Sequence, residues 1–340
     1  MIRTQASSPQ AQKSYEIVSH LQNYFVSKLN EIGEKDFEAV EWFRDEGKHG
    51  GGVRYESRDE NIFNRASVNV SQVHYDNDAS KKLSSASAIS TIIHPVNPHA
   101  PSMHMHISWT QMRDGKGYWR IMADLNPSIP NDEDKKAFFQ MLKTAIPAHY
   151  EEGVAQGDRY FFIPALDRHR GVSHFYLENF NTGDEKADER LAQSVGEAVI
   201  DTYISILKNA LSSHPNITHE EKQKQLDYHT LYFFQVLTLD RGTTSGLLIH
   251  NQNDVGILGS LPLHMQRDLL ESWKVKMPDV QQKLLERILD ALPLTSVASI
   301  NQEVKKDLAC AVREHYKQHP EALSLQASGN IIPPTVENHK

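Results

Sequence analysis

The sequence predicts an α+β fold, a single domain in which helices flank one large antiparallel sheet. Three observations carry this. Across residues 37–125, alternating or β-rich runs follow one another with short turns between them, as in a meander of strands. Before and after that block, apolar residues recur at helical spacing instead. No internal repeat, low-complexity block or linker divides the chain, so one core is expected over residues 1–320, followed by a polar tail over 321–340 that is either unstructured or an arm for a partner.

Taken in order, residues 10–29 carry Tyr15, Val18, Leu21, Tyr24, Phe25 and Leu29 on one stripe and predict an amphipathic helix ending near Gly33. Residues 37–43 predict a strand, residues 46–52 a glycine-rich loop, and residues 61–74 a long strand. No helix opening with Lys-Ser or Lys-Thr follows Gly50-Gly51-Gly52, so a bend or a close approach to a ligand is a better reading than a phosphate cradle. Strands are expected at residues 88–93, 103–112 and 117–125. In the second of these, Met103, Met105, Ile107 and Trp109 face one way and predict core, while His104, His106, Ser108 and Thr110 face the other.

Helices are expected at residues 132–154 and 187–211, with a strand at 171–180 between them, and Thr218-His219-Glu220-Glu221 opens a further helix as a capping box. The apolar and aromatic run 231–239 predicts a strand buried on both faces, turning through Asp240-Arg241-Gly242-Thr243 into residues 245–249. Helices at 262–273, 280–292 and 302–319 complete the chain.

Bulk properties narrow the function. A net charge of −8, a pI near 6.1 and the absence of a basic run argue against nucleic acid or an anionic membrane as partner. The single cysteine, Cys310, allows no intrachain disulfide or thiolate cluster, and its helical context predicts a buried small hydrophobe. With no hydrophobic leader-like stretch and no apolar run long enough for a bilayer, the cytoplasm is the expected location.

The functional reading centres on residues 90–108, which hold four of the eighteen histidines and three prolines that stiffen the loop between two strands. His104 and His106, two apart on a strand, sit about 6–7 Å from each other on one side, a spacing at which two imidazoles share a metal. With His94 and Asp124 they form a donor set of the kind that binds iron or copper with positions left open for dioxygen. His174, alternating with Tyr176 and Glu178, is either a fourth ligand or a cross-strand partner. His49 is expected in solvent.

The order of motifs resembles the oxygen-dependent coproporphyrinogen III oxidases. The matching pieces are Trp42-Phe43-Arg44 with the glycines to Gly52, Val68-Asn69-Val70-Ser71-Gln72-Val73-His74, the stretch 90–104, Asp124-Leu125-Asn126-Pro127, Arg170-Gly171-Val172 with Asn181-Thr182, and Asp240-Arg241-Gly242-Thr243. The resemblance implies a large antiparallel sheet flanked by helices, a homodimer, and oxidative decarboxylation of two porphyrinogen propionates to vinyl groups with dioxygen and no organic cofactor, releasing hydrogen peroxide. It assigns proton donation to His104, metal or substrate binding to His94, substrate contact to Ser90, and the pyrrole nitrogens and a carboxylate to Asp240 and Arg241. Asp124 and Arg170 fall within its matching motifs and are expected at the substrate.

The departures are as informative. His106 and Ser108 stand where the resemblance expects asparagine and arginine, also on the substrate side of the strand, and the loop 250–254 stands where it expects Gly-Gly-Arg. Pro164-Ala165-Leu166, Ser173-His174 and Phe139 replace an expected histidine, Gly-Gly and a second histidine. A carboxylate without a charged partner in a dry pocket loses several kcal/mol, so a tetracarboxylate substrate fits less well on this count. Two further readings therefore stand beside the oxidase: a metal oxidase on the same fold, with His94, His104, His106 and His174 binding iron or copper and acting on a smaller carboxylate or a peptide, and a non-catalytic protein that binds a tetrapyrrole or a partner.

Overall fold

Strand alternation sets the architecture. The computed structural model describes residues 1–250, 252–331 and 335–339. After helix α1 (Pro9–Asn30), strands β1 (Glu38–Phe43), β2 (Gly50–Glu56), β3 (Phe63–His74), β4 (Leu83–Pro95), β5 (Ser102–Met112) and β6 (Gly117–Asn126) pair as an antiparallel meander. Helices α2 (Asp132–Ala145) and α3 (Tyr150–Phe161) and the two-residue strands β7 (Phe162–Ile163) and β8 (Arg168–His169) lead to β9 (Ser173–Phe180). That strand pairs antiparallel with β6 and closes a seven-stranded sheet, as an α+β reading requires.

Each sheet face has its own cover. On one side Met103, Met105, Ile107 and Ile121 are fully buried against Leu21 and Phe25 of α1 and Val199 and Tyr203 of α4 (Glu185–Ser213). Burying these large side chains contributes about 1.5–3 kcal/mol each. On the other side a second layer follows: α5 (His219–Thr238), α6 (Arg241–Ile249), α7 (Asp254–Ile257), the short pair β10 (His264–Gln266) and β11 (Val297–Ser299), α8 (Arg267–Ser272), α9 (Asp279–Asp290), α10 (Gln302–Gln318) and α11 (Thr335–Asn338). Its core of Phe233, Leu237, Leu284, Ile288 and Leu308 reaches the sheet at Ile92 of β4. The histidine-bearing face of β5 therefore looks into the space between sheet and second layer. Among the described residues no helix is long and apolar enough to cross a membrane.

Several expectations need correction. The glycine run is not a loop: Gly50, Gly51 and Gly52 begin β2, wedged between β1 and β3. A Cβ on Gly52 would stand 2.2 Å from the Val70 carbonyl oxygen and 2.6 Å from the Trp42 ring nitrogen, so the close approach is to the protein's own backbone and indole. The helix expected over 132–154 breaks at Pro147, which has no N–H to continue it. Residues 231–239 belong to α5, which starts at the Thr218–Glu221 capping box, and 245–249 to α6; an apolar run buried on all sides has no period by which to tell strand from helix. Residues 264–266 are likewise β10 rather than helix, and Cys310 is exposed.

Gly52→Ala is expected to destabilise the protein by about 1–3 kcal/mol through forced displacement of β3 or Trp42. Denaturant unfolding followed by tryptophan fluorescence checks this, and an unchanged midpoint and slope would contradict it.

Candidate active site

The face of β5 opposite the core, together with its neighbours in register, forms one wall of a cavity of about 350 Å³. His104 pairs with Asp124, His106 with Met122 and Ser108 with Arg120 across β5 and β6, and Ser90 of β4 lies opposite His106. The second wall comes from Tyr232 and Val236 of α5 and from Asp240, Arg241 and neighbouring residues of α6, with Tyr160 and Tyr176 closing a side. The size is that of a small-molecule site.

At the base of the wall, His104 Nδ1 donates to Asp124 Oδ1 at 2.7 Å. Asp124 is fully buried; its other oxygen accepts from Arg170 Nη2 at 2.7 Å and from Asn126 Nδ2 at 2.6 Å. Burial alone would raise the Asp124 pKa, but the Arg170 guanidinium and His104 more than offset that and hold it well below the ordinary carboxylate value. Arg170 is anchored in turn by Gln235 at 2.7 Å and lies over the Phe161 and Tyr232 rings. Asp124 thus acts on the cavity chiefly through His104, fixing its Nδ1 proton and turning Nε2 toward the open space, while Arg170 both holds Asp124 and lines the cavity itself.

Higher on the same wall, His106 is held between Ser90 Oγ at 2.7 Å and Ser108 Oγ at 3.0 Å. Burial, with Arg120 and His104 nearby, lowers its pKa to about 3, so it is a neutral imidazole at pH 7. Across the cavity Asp240 caps α6. One oxygen accepts from the Thr243 backbone N–H at 2.7 Å, and the other from the Tyr160 hydroxyl at 2.8 Å. Arg241 Nη2 reaches both oxygens of Glu178, at 2.7 and 3.0 Å.

The expected metal ligands do not converge. His94 is fully buried beneath the second layer, between Ser102 Oγ at 2.7 Å and the Ser260 carbonyl at 3.2 Å, against Tyr232. His174 is buried under α3, bonded to Asp158 at 2.8 Å and to the Arg170 carbonyl at 2.5 Å. Of the four expected ligands, His104 and His106 face the cavity, and each is engaged as described. Among the described residues no group of three or more His, Cys, Asp or Glu is placed to hold a metal ion. His49, expected in solvent, is half-buried and bonded to Asp45 at 2.7 Å.

Sequence reasoning missed Arg120, Glu178, Tyr160 and Tyr232. For the first two the signal was present: pairing β6 and β9 with β5 by alternation puts Arg120 on the His104 face. Tyr160 and Tyr232 arrive from helices and needed tertiary structure. The C-terminal residues also come back over the site. Gln326 bonds Thr244 and Tyr316, both at 2.7 Å, and Thr335 and His339 line the cavity. Tyr75 and His339 share a 3.0 Å hydrogen bond, and Asn251 of the 250–254 loop lies outside the described residues.

The fold and site define a protein with a polar-edged cavity between a histidine-bearing sheet face and a helical cover. The coproporphyrinogen III oxidase family model matches residues 13–291, and the chain belongs to that family. It is 30% identical over 265 residues to the rat oxygen-dependent coproporphyrinogen-III oxidase, mitochondrial, a match covering 71% of this chain and 59% of the rat protein. The Rickettsia bellii oxygen-dependent coproporphyrinogen-III oxidase is 30% identical over 237 residues, covering 65% and 81%. The Arabidopsis thaliana coproporphyrinogen-III oxidase 1, chloroplastic, is 28% identical over 277 residues, covering 72% and 70%. The chain spans less than two thirds of the length of the mammalian relatives it matches.

Because the folded Asp124 pKa lies below its unfolded value of about 3.9, its ion pair stabilises fully above about pH 4 and loses that contribution as pH falls further. Acid unfolding of the parent should steepen there. Asp124→Asn, leaving Arg170 buried without its counter-charge, is expected to lose about 3–5 kcal/mol at pH 7 and to flatten the acid limb. Urea unfolding at pH 3 to 7 reads both effects.

Proposed function

We propose that the chain is an oxygen-dependent oxidase that decarboxylates carboxyalkyl side chains of a porphyrinogen, converting coproporphyrinogen III to protoporphyrinogen IX in haem biosynthesis. Dioxygen is the co-substrate and no organic cofactor takes part. For each side chain the propionate loses carbon dioxide and a hydride equivalent from the carbon next to the ring, leaving a vinyl group. Dioxygen takes the two electrons and, with two protons, becomes hydrogen peroxide.

The observation that carries this reading is the opposition of two walls. His104, its Nδ1 proton fixed by Asp124, presents Nε2 to a cavity whose far wall offers Asp240 and Arg241. In the proposed mechanism Asp240 accepts pyrrole N–H groups; its oxygens already receive Tyr160 and Thr243, which holds the carboxylate in place. Arg241 pairs with a substrate carboxylate, and among the described residues its buried Nη1 has no hydrogen-bond partner. His104 takes or gives the proton at the reacting side chain, and Ser90, His106 and Ser108 form a neutral polar surface beneath the ring. Tyr160, Tyr176 and Tyr232 supply aromatic walls that exclude water. The iron or copper reading has no converged donor set to support it. A homodimer, implied by family resemblance, and a cytoplasmic location belong to the same proposal.

Anaerobic mixing with coproporphyrinogen III followed by oxygen should yield divinyl product, with one peroxide per carboxylate removed. His104→Ala is expected to lower kcat by about 10²–10⁴-fold with little change in KM. Binding of the porphyrinogen without any vinyl product would support a non-catalytic tetrapyrrole binder instead. Sedimentation velocity tests the dimer.

A further inference from the structure

At the upper edge of the cavity two arginines share a single carboxylate. Glu178 lies where β9 bulges against β6: the register shifts between Trp119 and Ile121, and Asn179 adopts a left-handed conformation at φ 57°. Bulges re-aim side chains, and this one sets a fully buried carboxylate between two arginines. Arg241 engages both Glu178 oxygens. Arg120 reaches the same carboxylate only at 3.7 Å from Nε, beyond hydrogen-bond length, and among the described residues that buried nitrogen has no hydrogen-bond partner. Among the described residues its Nη2 meets the Thr335 hydroxyl at 3.5 Å. Arg241 thus takes most of the shared carboxylate, while Arg120 lines the cavity.

The neighbour of Arg120 across β5 is Ser108. Directly paired strand residues lie about 5 Å apart, and a serine side chain is too short to cover a guanidinium. The arginine that family resemblance expects at position 108 is therefore present one strand over, at the same height and on the same face. A charge transposed in this way keeps a bidentate anion site while leaving room beside His106.

We propose that Arg120 is a specificity-determining residue that binds one substrate carboxylate, with Glu178 as the positioning residue that orients both Arg120 and Arg241. This rests on the oxidase reading and names the group that lets the site accept a polycarboxylate despite Ser108. The fork of Arg120 takes the carboxylate at the edge of the ring, while Arg241 takes another from the opposite wall.

The test measures fluorescence binding of coproporphyrin III, with four carboxylates, and mesoporphyrin IX, with two, beside steady-state kinetics on coproporphyrinogen III. Arg120→Met should weaken coproporphyrin III binding by about ten- to hundredfold, the loss of one charge-assisted hydrogen-bonded pair. Mesoporphyrin IX should weaken by less than about threefold, and KM should rise with kcat nearly unchanged. The exchange variant Ser108→Arg with Arg120→Ser should restore the preference for the tetra-acid to within about threefold. Parental discrimination in Arg120→Met, or equal weakening of both porphyrins accompanied by a lowered Tm, overturns the proposal. If the parent binds coproporphyrin III but turns over no porphyrinogen, the oxidase reading falls while the binding comparison still decides the role of Arg120. If the parent binds neither porphyrin, both fall.

Discussion

The site depends on one buried carboxylate. Asp124 has no exposed surface, so its charge survives only because Arg170, Asn126 and His104 satisfy it. Those three partners come from β6 itself, from the segment entering β9 and from β5, while Gln235 of α5 steadies Arg170. One charge thus ties the sheet to the second helical layer and fixes the proton on the cavity-facing imidazole of His104. A rearrangement that moved α5 away from the sheet would disturb Gln235, then Arg170, then the carboxylate behind His104.

The second layer contributes to the cavity through a cap. Asp240 follows the end of α5 and caps α6, and the same carboxylate that accepts from the Thr243 backbone N–H lines the cavity. Its position is therefore set by helix formation rather than by a flexible side chain, which suits a group asked to accept hydrogen bonds at a defined height above the sheet. The bulge in β9 does the equivalent on the sheet edge, where Glu178 organises two arginines that belong to opposite walls. Residues beyond the family match, Thr335 and His339 among them, complete the enclosure.

Legibility from sequence followed periodicity. The β5 pattern was readable because a strand with one face in the core and one on a cavity must alternate, and the structure places Met103, Met105 and Ile107 fully in the core with His104 and His106 on the cavity. Residues 228–238 were unreadable by the same rule, because a helix buried all round has no polar face to reveal its period. The glycine run misled for a related reason: glycine marks a close approach without saying to what, and here the neighbours are Val70 and Trp42. The histidines misled because imidazoles near in sequence share a metal only if their nitrogens point to one place. Ser102, Ser260, Asp158 and Asp124 draw those of His94, His174 and His104 apart.

By itself the sequence determined the family, the α+β class, the meander of strands and the polar face of β5 that lines the cavity, because these follow from local alternation and from motif order. Only the tertiary structure decided which polar residues share that face. Asp124 withdraws behind His104 while Arg170 stays in the lining, His94 and His174 lie outside the cavity, and Arg120 enters it with Glu178 buried behind. The reason is physical: strand pairing brings together residues tens of positions apart, and the partner that satisfies each buried charge is chosen in space rather than along the chain.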